Sequence, residues 1–241
     1  MFGITSTPEV EVYNNLKNMP RRFEPFENGN YYHIFNRGVA KLPVFISGSD
    51  YQQAILTMSY YLFADLKMKL SRFKSLSANE RDKLIADLRF SDDKMVQIVS
   101  FVLMPNHFHF LLRQERDGGI SKFVSLFTNS YTRYFNTKHS RVGPLFQGQF
   151  KAVNIEHENQ LIHLSRYIHL NPYVSSIVSK DELLTYSWSS FPNYLGDESQ
   201  TILTDPVMTY FKSSDEYKLF VLNHADYAES LEKMKHQTLD L

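Results

Sequence analysis

The stretch Val102-Leu-Met-Pro-Asn-His-Phe-His-Phe-Leu-Leu-Arg113 decides how this chain is read. In an extended strand, side chains two residues apart share a face. His107 and His109 therefore point one way, while Phe108, Phe110 and Leu112 point the other way into a core. Two imidazoles side by side on a sheet face can form half of a metal site. Taken alone, such a pair is more often structural. A second half must come from elsewhere in the chain.

Working outward, Met95 to Met104 is a nearly unbroken apolar run with β-branched residues. That pattern predicts a strand buried on both faces and central in its sheet. Pro105-Asn106 makes the turn into the histidine strand, and Asp117-Gly-Gly119 ends it. Upstream, Tyr31-Tyr-His-Ile-Phe-Asn-Arg37 alternates as a strand that Gly38 ends. Asp50 is placed to cap a helix carrying Ala54, Ile55, Met58, Tyr61 and Leu62. Residues 64–91 are charged and helical in pattern, and Ser77-Ala-Asn-Glu80 forms a capping box. They are predicted to be an inserted helical segment on the outside.

Downstream, Ile120, Phe123, Val124, Phe127, Tyr131 and Phe135 recur at helical spacing. Phe146 to Ile155 can be a further strand, and Glu158 to Asn171 a helix stopped by Pro172. A last helix covers about Asp215 to Met234. The order of elements fits an α+β fold with a ferredoxin-like, split βαβ antiparallel sheet. Helices would cover one face and leave the other available for a site. The expected organisation is an N-terminal arm over 1–30, a catalytic domain over 31–195 and an acidic C-terminal extension over 196–241.

Composition narrows the function classes. With 43% hydrophobic residues in 241, the chain can build a core and is not disordered by default. It has no cysteine, which excludes disulfides and thiolate metal sites. The opening residues show no basic and apolar leader, and no apolar run approaches membrane-spanning length. A cytoplasmic protein without a membrane partner is the expectation. The formal net charge is zero, but its distribution is uneven. Residues 113–151 carry seven basic side chains against Glu115 and Asp117, whereas residues 181–241 carry eleven acidic side chains against four lysines. The basic middle suits phosphate contact, with Arg113, Lys122, Arg133 and Lys151 as candidates, although solvated faces usually account for such charges.

The helix over 158–171 offers the second half of the site. His163, Tyr167 and Asn171 stand at i, i+4 and i+8 on one of its faces. Three motifs now occur in order: Met104-Pro-Asn-His-Phe-His109, Leu145-Phe-Gln-Gly-Gln-Phe-Lys151 and Arg166-Tyr-Ile-His-Leu-Asn-Pro172. Together they resemble the single-tyrosine HUH transposases of the insertion-sequence-200-like group, in the branch of the REP-associated tyrosine transposases. Each motif alone is modest, and their order and spacing make the resemblance specific. It extends from about Tyr31 through Trp188.

The resemblance implies that His107, His109 and Asn171 hold a divalent cation, Mg²⁺ or Mn²⁺, and that Tyr167 is the nucleophile. It implies nicking and joining of single-stranded or hairpin DNA through a 5′-phosphotyrosine. His163, one turn before Tyr167, stands where a supporting base or further ligand would be, though a surface position is the plainer reading. His169, on another face, reads as structural. One departure is Gln149, where the family usually carries arginine; with the acidic tail, it favours the alternative of a domesticated, non-cleaving hairpin-DNA-binding protein. A metal-dependent hydrolase unrelated to DNA would need a third histidine or a carboxylate. Relatives include monomers and dimers. The resemblance therefore leaves open whether Tyr167 serves its own chain or a second copy in a homodimer.

Overall fold

The computed structural model describes residues 25–91, 93–197 and 201–229. Most of the N-terminal arm and the end of the acidic extension, including Met234, lie outside the described residues. Four strands, β1 (Tyr31–Arg37), β2 (Val96–Met104), β3 (His107–Gln114) and β4 (Lys151–Ile155), pair in the order β2-β3-β1-β4. Every pairing is antiparallel. Helix α1 (Gly48–Tyr60) connects β1 to β2, and α4 (Gly119–Lys138) connects β3 to β4. This is the doubled split βαβ arrangement of the ferredoxin-like fold.

Period-two alternation divides the sheet into two cores. Ile34, Phe101, Phe108, Phe110 and Leu112 face α1 and α4, and the whole stripe from Ile120 to Phe135 is buried against them. Gly119 opens α4 where its Cα approaches the Met95 carbonyl too closely for any Cβ. Between α1 and β2 come α2 (Leu70–Ser75) and α3 (Ala78–Ser91). They gather a small cluster of their own around Tyr60, Leu70 and Phe73. The Ser77–Glu80 capping box is formed, with the Ser77 N–H donating to Glu80 at 2.8 Å.

The opposite face presents Val99, Val102, Met104 and Leu111 to α5 (Glu158–Val174) and to the short helices α6 (Phe191–Tyr194), α7 (Asp205–Met208) and α8 (Ser214–Leu222). The two crossover helices thus occupy one face, and α5 crosses the face left for a site.

Several boundaries differ from expectation. β2 is an edge strand, not a central one. It is buried because residues 188–190 and 202–203 cover its outer side: Leu103 N–H donates to the Trp188 carbonyl, Ser190 N–H to Phe101 and Leu203 N–H to Ile98. An apolar run reports burial, and irregular backbone can supply the missing neighbour as well as a strand. The N-cap of α1 is Ser47, with Asp50 in its first turn accepting from the Ser47 N–H at 2.9 Å. β4 starts only at Lys151; α8 ends at Leu222, and after a turn at Asn223 and His224 helix resumes over residues 225–229. Helix α5 runs through Pro172 to Val174. Proline removes one N–H near a helix end, where the last turn can continue; here Ser175 N–H donates to the Asn171 carbonyl. Among the described residues, no helix is long and apolar enough to cross a membrane.

Candidate metal and nucleophile site

The β3 alternation does what the sequence predicts. Phe108 and Phe110 are fully buried under α4, and His107 and His109 emerge on the α5 face. Their rings lie 5.0 Å apart and nearly perpendicular. Antiparallel pairing sets Phe35 opposite His109 and Arg37 opposite His107. His33, on the same face of β1, is 1% exposed, and its Nε2 lies 2.8 Å from His109 Nδ1.

Helix α5 brings two side chains onto this surface from one of its faces. The Tyr167 ring stands edge-on to His109 at 5.5 Å and to His33 at 6.2 Å. One turn later, Asn171 Oδ1 lies 3.4 Å from His107 Nε2. His107 Nδ1 is 2.6 Å from Asn106 Oδ1 in the preceding turn. All of these residues belong to one chain.

A buried polar network fixes α5 against the sheet. His169 Nδ1 lies 2.7 Å from the Tyr217 hydroxyl, and its Nε2 lies 2.8 Å from Ser190 Oγ. Ser190 Oγ accepts from the Phe101 N–H at 2.9 Å, and the Tyr217 hydroxyl meets Ser165 Oγ at 3.0 Å. Helix, C-terminal segment and β2 edge are joined through these groups.

Burial sets the charge state of the imidazoles. It pushes His33 down to about 3. It also pushes His107 down to about 4, with the Asn171 hydrogen bond opposing and the Arg37 charge reinforcing it. His109 is held well below the ordinary histidine range by burial and by its two histidine neighbours. Near neutral pH the three rings are uncharged, the form in which an imidazole donates a lone pair to a cation.

The donor set fits a divalent cation. His107 Nε2 and Asn171 Oδ1 are already close to the roughly 3 Å separation of adjacent corners in an octahedron with bonds of about 2.1 Å. Nitrogen with amide oxygen suits Mn²⁺ and, with water added, Mg²⁺. Among the described residues there is no group of three or more His, Cys, Asp or Glu placed to hold a metal, so a cation held here would rest on two histidines and an amide. His33 adds no third ligand, because its Nε2 is engaged by His109.

The other candidates separate by location. His163 lies 2.9 Å from Arg166 of its own helix through its Nδ1 and packs on Phe220 of α8. His169 is fully buried in the network above, as a structural residue. Lys122 and Arg133 project from α4, on the other side of the sheet from the histidines, and both are exposed. Arg113 lies further along β3 and pairs with Glu115 at 2.6 Å. Lys151 lies opposite Phe35 on β4, its ammonium 6.0 Å from that ring. Phe35 in turn packs on His33 and His109. Lys151 also lines a cleft of about 1250 Å³ between α4 and residues 144–152, whose walls include Ser125, Thr128, Asn129, Gln147 and Gln149.

Sequence reasoning missed His33 and Phe35. Alternation along Tyr31–Arg37 puts both on one face, but the strand they pair with is not a local property of the sequence.

Residues 57–171 match the family model described as "Transposase IS200 like". No curated protein matches the chain. Among solved structures, the chain is similar to a REP-associated tyrosine transposase bound to a REP hairpin, with 13% identity over 75% of this chain and 87% of that one, at a TM-score of 0.47. It is also similar to a transposase-like protein from Deinococcus radiodurans R1, with 12% identity over 62% of this chain and 95% of that one, at a TM-score of 0.27. At such scores neither overlay bears on the site.

Proposed function

Because residues 57–171 match the IS200-like transposase family model, we propose that this chain nicks and rejoins single-stranded or hairpin DNA, with Tyr167 as nucleophile. The observation that carries this reading is the meeting of two distant segments: Tyr167 and Asn171, one helical turn apart, stand 5.5 Å from His109 and 3.4 Å from His107.

His107, His109 and Asn171 would hold the cation, Mg²⁺ or Mn²⁺. When bound, it supplies positive charge to the non-bridging oxygens of the scissile phosphate and to the departing 3′ oxygen. The Tyr167 oxygen attacks phosphorus and loses its proton to solvent or a base. A tyrosine–phosphorus bond forms as the bond to the 3′ oxygen breaks, and that oxygen leaves with the electron pair and takes up a proton. The products are a 5′-phosphotyrosine and a free 3′-hydroxyl. Rejoining is the reverse, with a 3′-hydroxyl attacking phosphorus and the phenol departing, so no external energy source is needed. The packing of Tyr167 against His33 and His109 limits the positions of its ring, which suits an in-line attack.

The test is incubation with Mn²⁺ and a hairpin oligonucleotide taken from the DNA flanking the gene. A covalent protein–DNA adduct is expected, and Tyr167→Phe should abolish it. An adduct that survives in Tyr167→Phe rejects the nucleophile. The uncharged Gln149 in the cleft favours a second reading, a protein that binds hairpins without cleaving them. A gel shift with no adduct under Mg²⁺ or Mn²⁺ would establish it.

A further inference from the structure

We propose that His33 is a positioning residue that fixes which nitrogen of His109 is free to bind the cation. The inference rests on the metal reading above and concerns a residue outside the three proposed ligands.

The geometry is specific. His33 Nε2 and His109 Nδ1 lie 2.8 Å apart, with rings 22° from coplanar and centroids 5.0 Å apart. The contact joins diagonal neighbours of the β1–β3 pairing, because His33 is directly opposite Leu111 and His109 is directly opposite Phe35. Both residues are buried, so water does not readily replace either partner. The bond is therefore a built feature of the sheet.

A neutral imidazole has one N–H and one bare nitrogen. Two arrangements of this contact are possible. If His109 donates from Nδ1, its Nε2 is bare and can coordinate. If His33 donates from Nε2, the proton of His109 sits on its own Nε2 and coordination there is blocked. Only the first arrangement is compatible with a cation at His109 Nε2.

His107 shows the same design with a simpler partner. Its Nδ1 lies 2.6 Å from Asn106 Oδ1 and its Nε2 3.4 Å from Asn171 Oδ1; both oxygens can only accept, and the shorter contact favours the proton on Nδ1, which leaves Nε2 bare for the site. Each histidine thus spends Nδ1 on a neighbour and keeps Nε2 for the site. Partners of this kind orient metal-binding histidines and raise their basicity, and losing one typically costs about 10- to 100-fold in affinity.

The experiment is an Mn²⁺ titration of the full chain without DNA, followed by electron paramagnetic resonance. His33→Phe keeps an aromatic ring and removes the acceptor; it should bind Mn²⁺ about 10- to 100-fold more weakly. His33→Gln restores an amide oxygen and should recover most of that loss. A second readout needs no variant: ¹⁵N resonances of the parent with Zn²⁺ bound should show His109 protonated on Nδ1. His33→Phe binding within twofold of the parent, or a Zn²⁺-bound parent with His109 protonated on Nε2, overturns the proposal. A parent that binds no divalent cation overturns this inference together with the metal reading. A parent that binds while His33→Phe binds equally well sinks only the role of His33.

Discussion

At the residue scale, the proposed cation site differs from a common zinc site in having an amide where a third histidine or carboxylate would stand. Asn171 is 7% exposed and its oxygen faces a histidine beside the Arg37 charge, so it is a neutral donor in a buried, slightly positive setting. Asn171→Ala should weaken Mn²⁺ binding by at least about tenfold, since losing only an outer partner of a ligand already costs about 10- to 100-fold. Asn171→Asp adds a hard anionic oxygen and should tighten it, since ligand charge tunes the affinity of such sites. Titrations of the three proteins test this, and equal affinities would remove Asn171 from the site. Tyr167→Phe should leave Mn²⁺ affinity within about twofold while eliminating the adduct, because an edge-on ring contributes packing and no ligand. Much of this was legible in sequence. A strand of period two puts His107 and His109 together, and a helix of period 3.6 does the same for Tyr167 and Asn171. His33 was not, because its partner is chosen by pairing between strands 76 positions apart in the sequence.

At the element scale, the stripe of α4 was readable because six aromatic and aliphatic residues keep a strict helical spacing and all become buried. The end of α5 and the edge position of β2 were not. The first depends on a helix continuing past Pro172, and the second on backbone from residues 188–190 and 202–203 that no local pattern announces. The joint between α1 and α4 is a further tertiary feature. The Asp50 carboxylate has no exposed surface; it accepts from Lys138 Nζ at 2.7 Å and from the Ser47 N–H at 2.9 Å. Burial pushes its carboxyl up, but the hydrogen bonds from Lys138, Ser47 and His139 more than offset this and hold it below the ordinary carboxylate range. Asp50→Ala should cost on the order of 2 kcal/mol, as for loss of a buried charge-assisted hydrogen bond with one partly solvated partner. The sign of the pH effect follows from the depressed value. Below the unfolded value of about 3.9 the unfolded state takes up a proton that the folded state resists, so stability falls with pH there and is fully present above it. Urea unfolding of the parent and Asp50→Asn across pH 3 to 7 should therefore show a constant gap above about pH 5 that narrows below pH 4. A gap that widens on acidification would exclude Asp50 as its source.

At the scale of the whole molecule, a formal net charge of zero is unusual for a protein proposed to act on DNA, and the cleft that Lys151 lines holds no second charged side chain among its described walls. Its walls offer hydroxyl and amide groups, which recognise bases and sugars but release no counterions. Phosphate contacts set the salt dependence, with a slope of about −0.7 per contact for single strands. If a strand lies in this cleft with Lys151 and one further cation on its backbone, the logarithm of affinity should fall with the logarithm of salt at a slope of about −1.4. Raising salt fourfold would then weaken binding only about sevenfold. Gln149 is the informative position, because it lines the cleft where an arginine is usual for the family the sequence resembles. Gln149→Arg should steepen the slope by about 0.7 and raise affinity most at low salt, while leaving Mn²⁺ binding unchanged. Fluorescence anisotropy with a hairpin oligonucleotide at several salt concentrations measures both quantities. A parent slope steeper than about −3 would require a cationic surface elsewhere, and the exposed Lys122 and Arg133 on α4 would be the first to substitute. An unchanged slope in Gln149→Arg would mean that the strand does not run through this cleft.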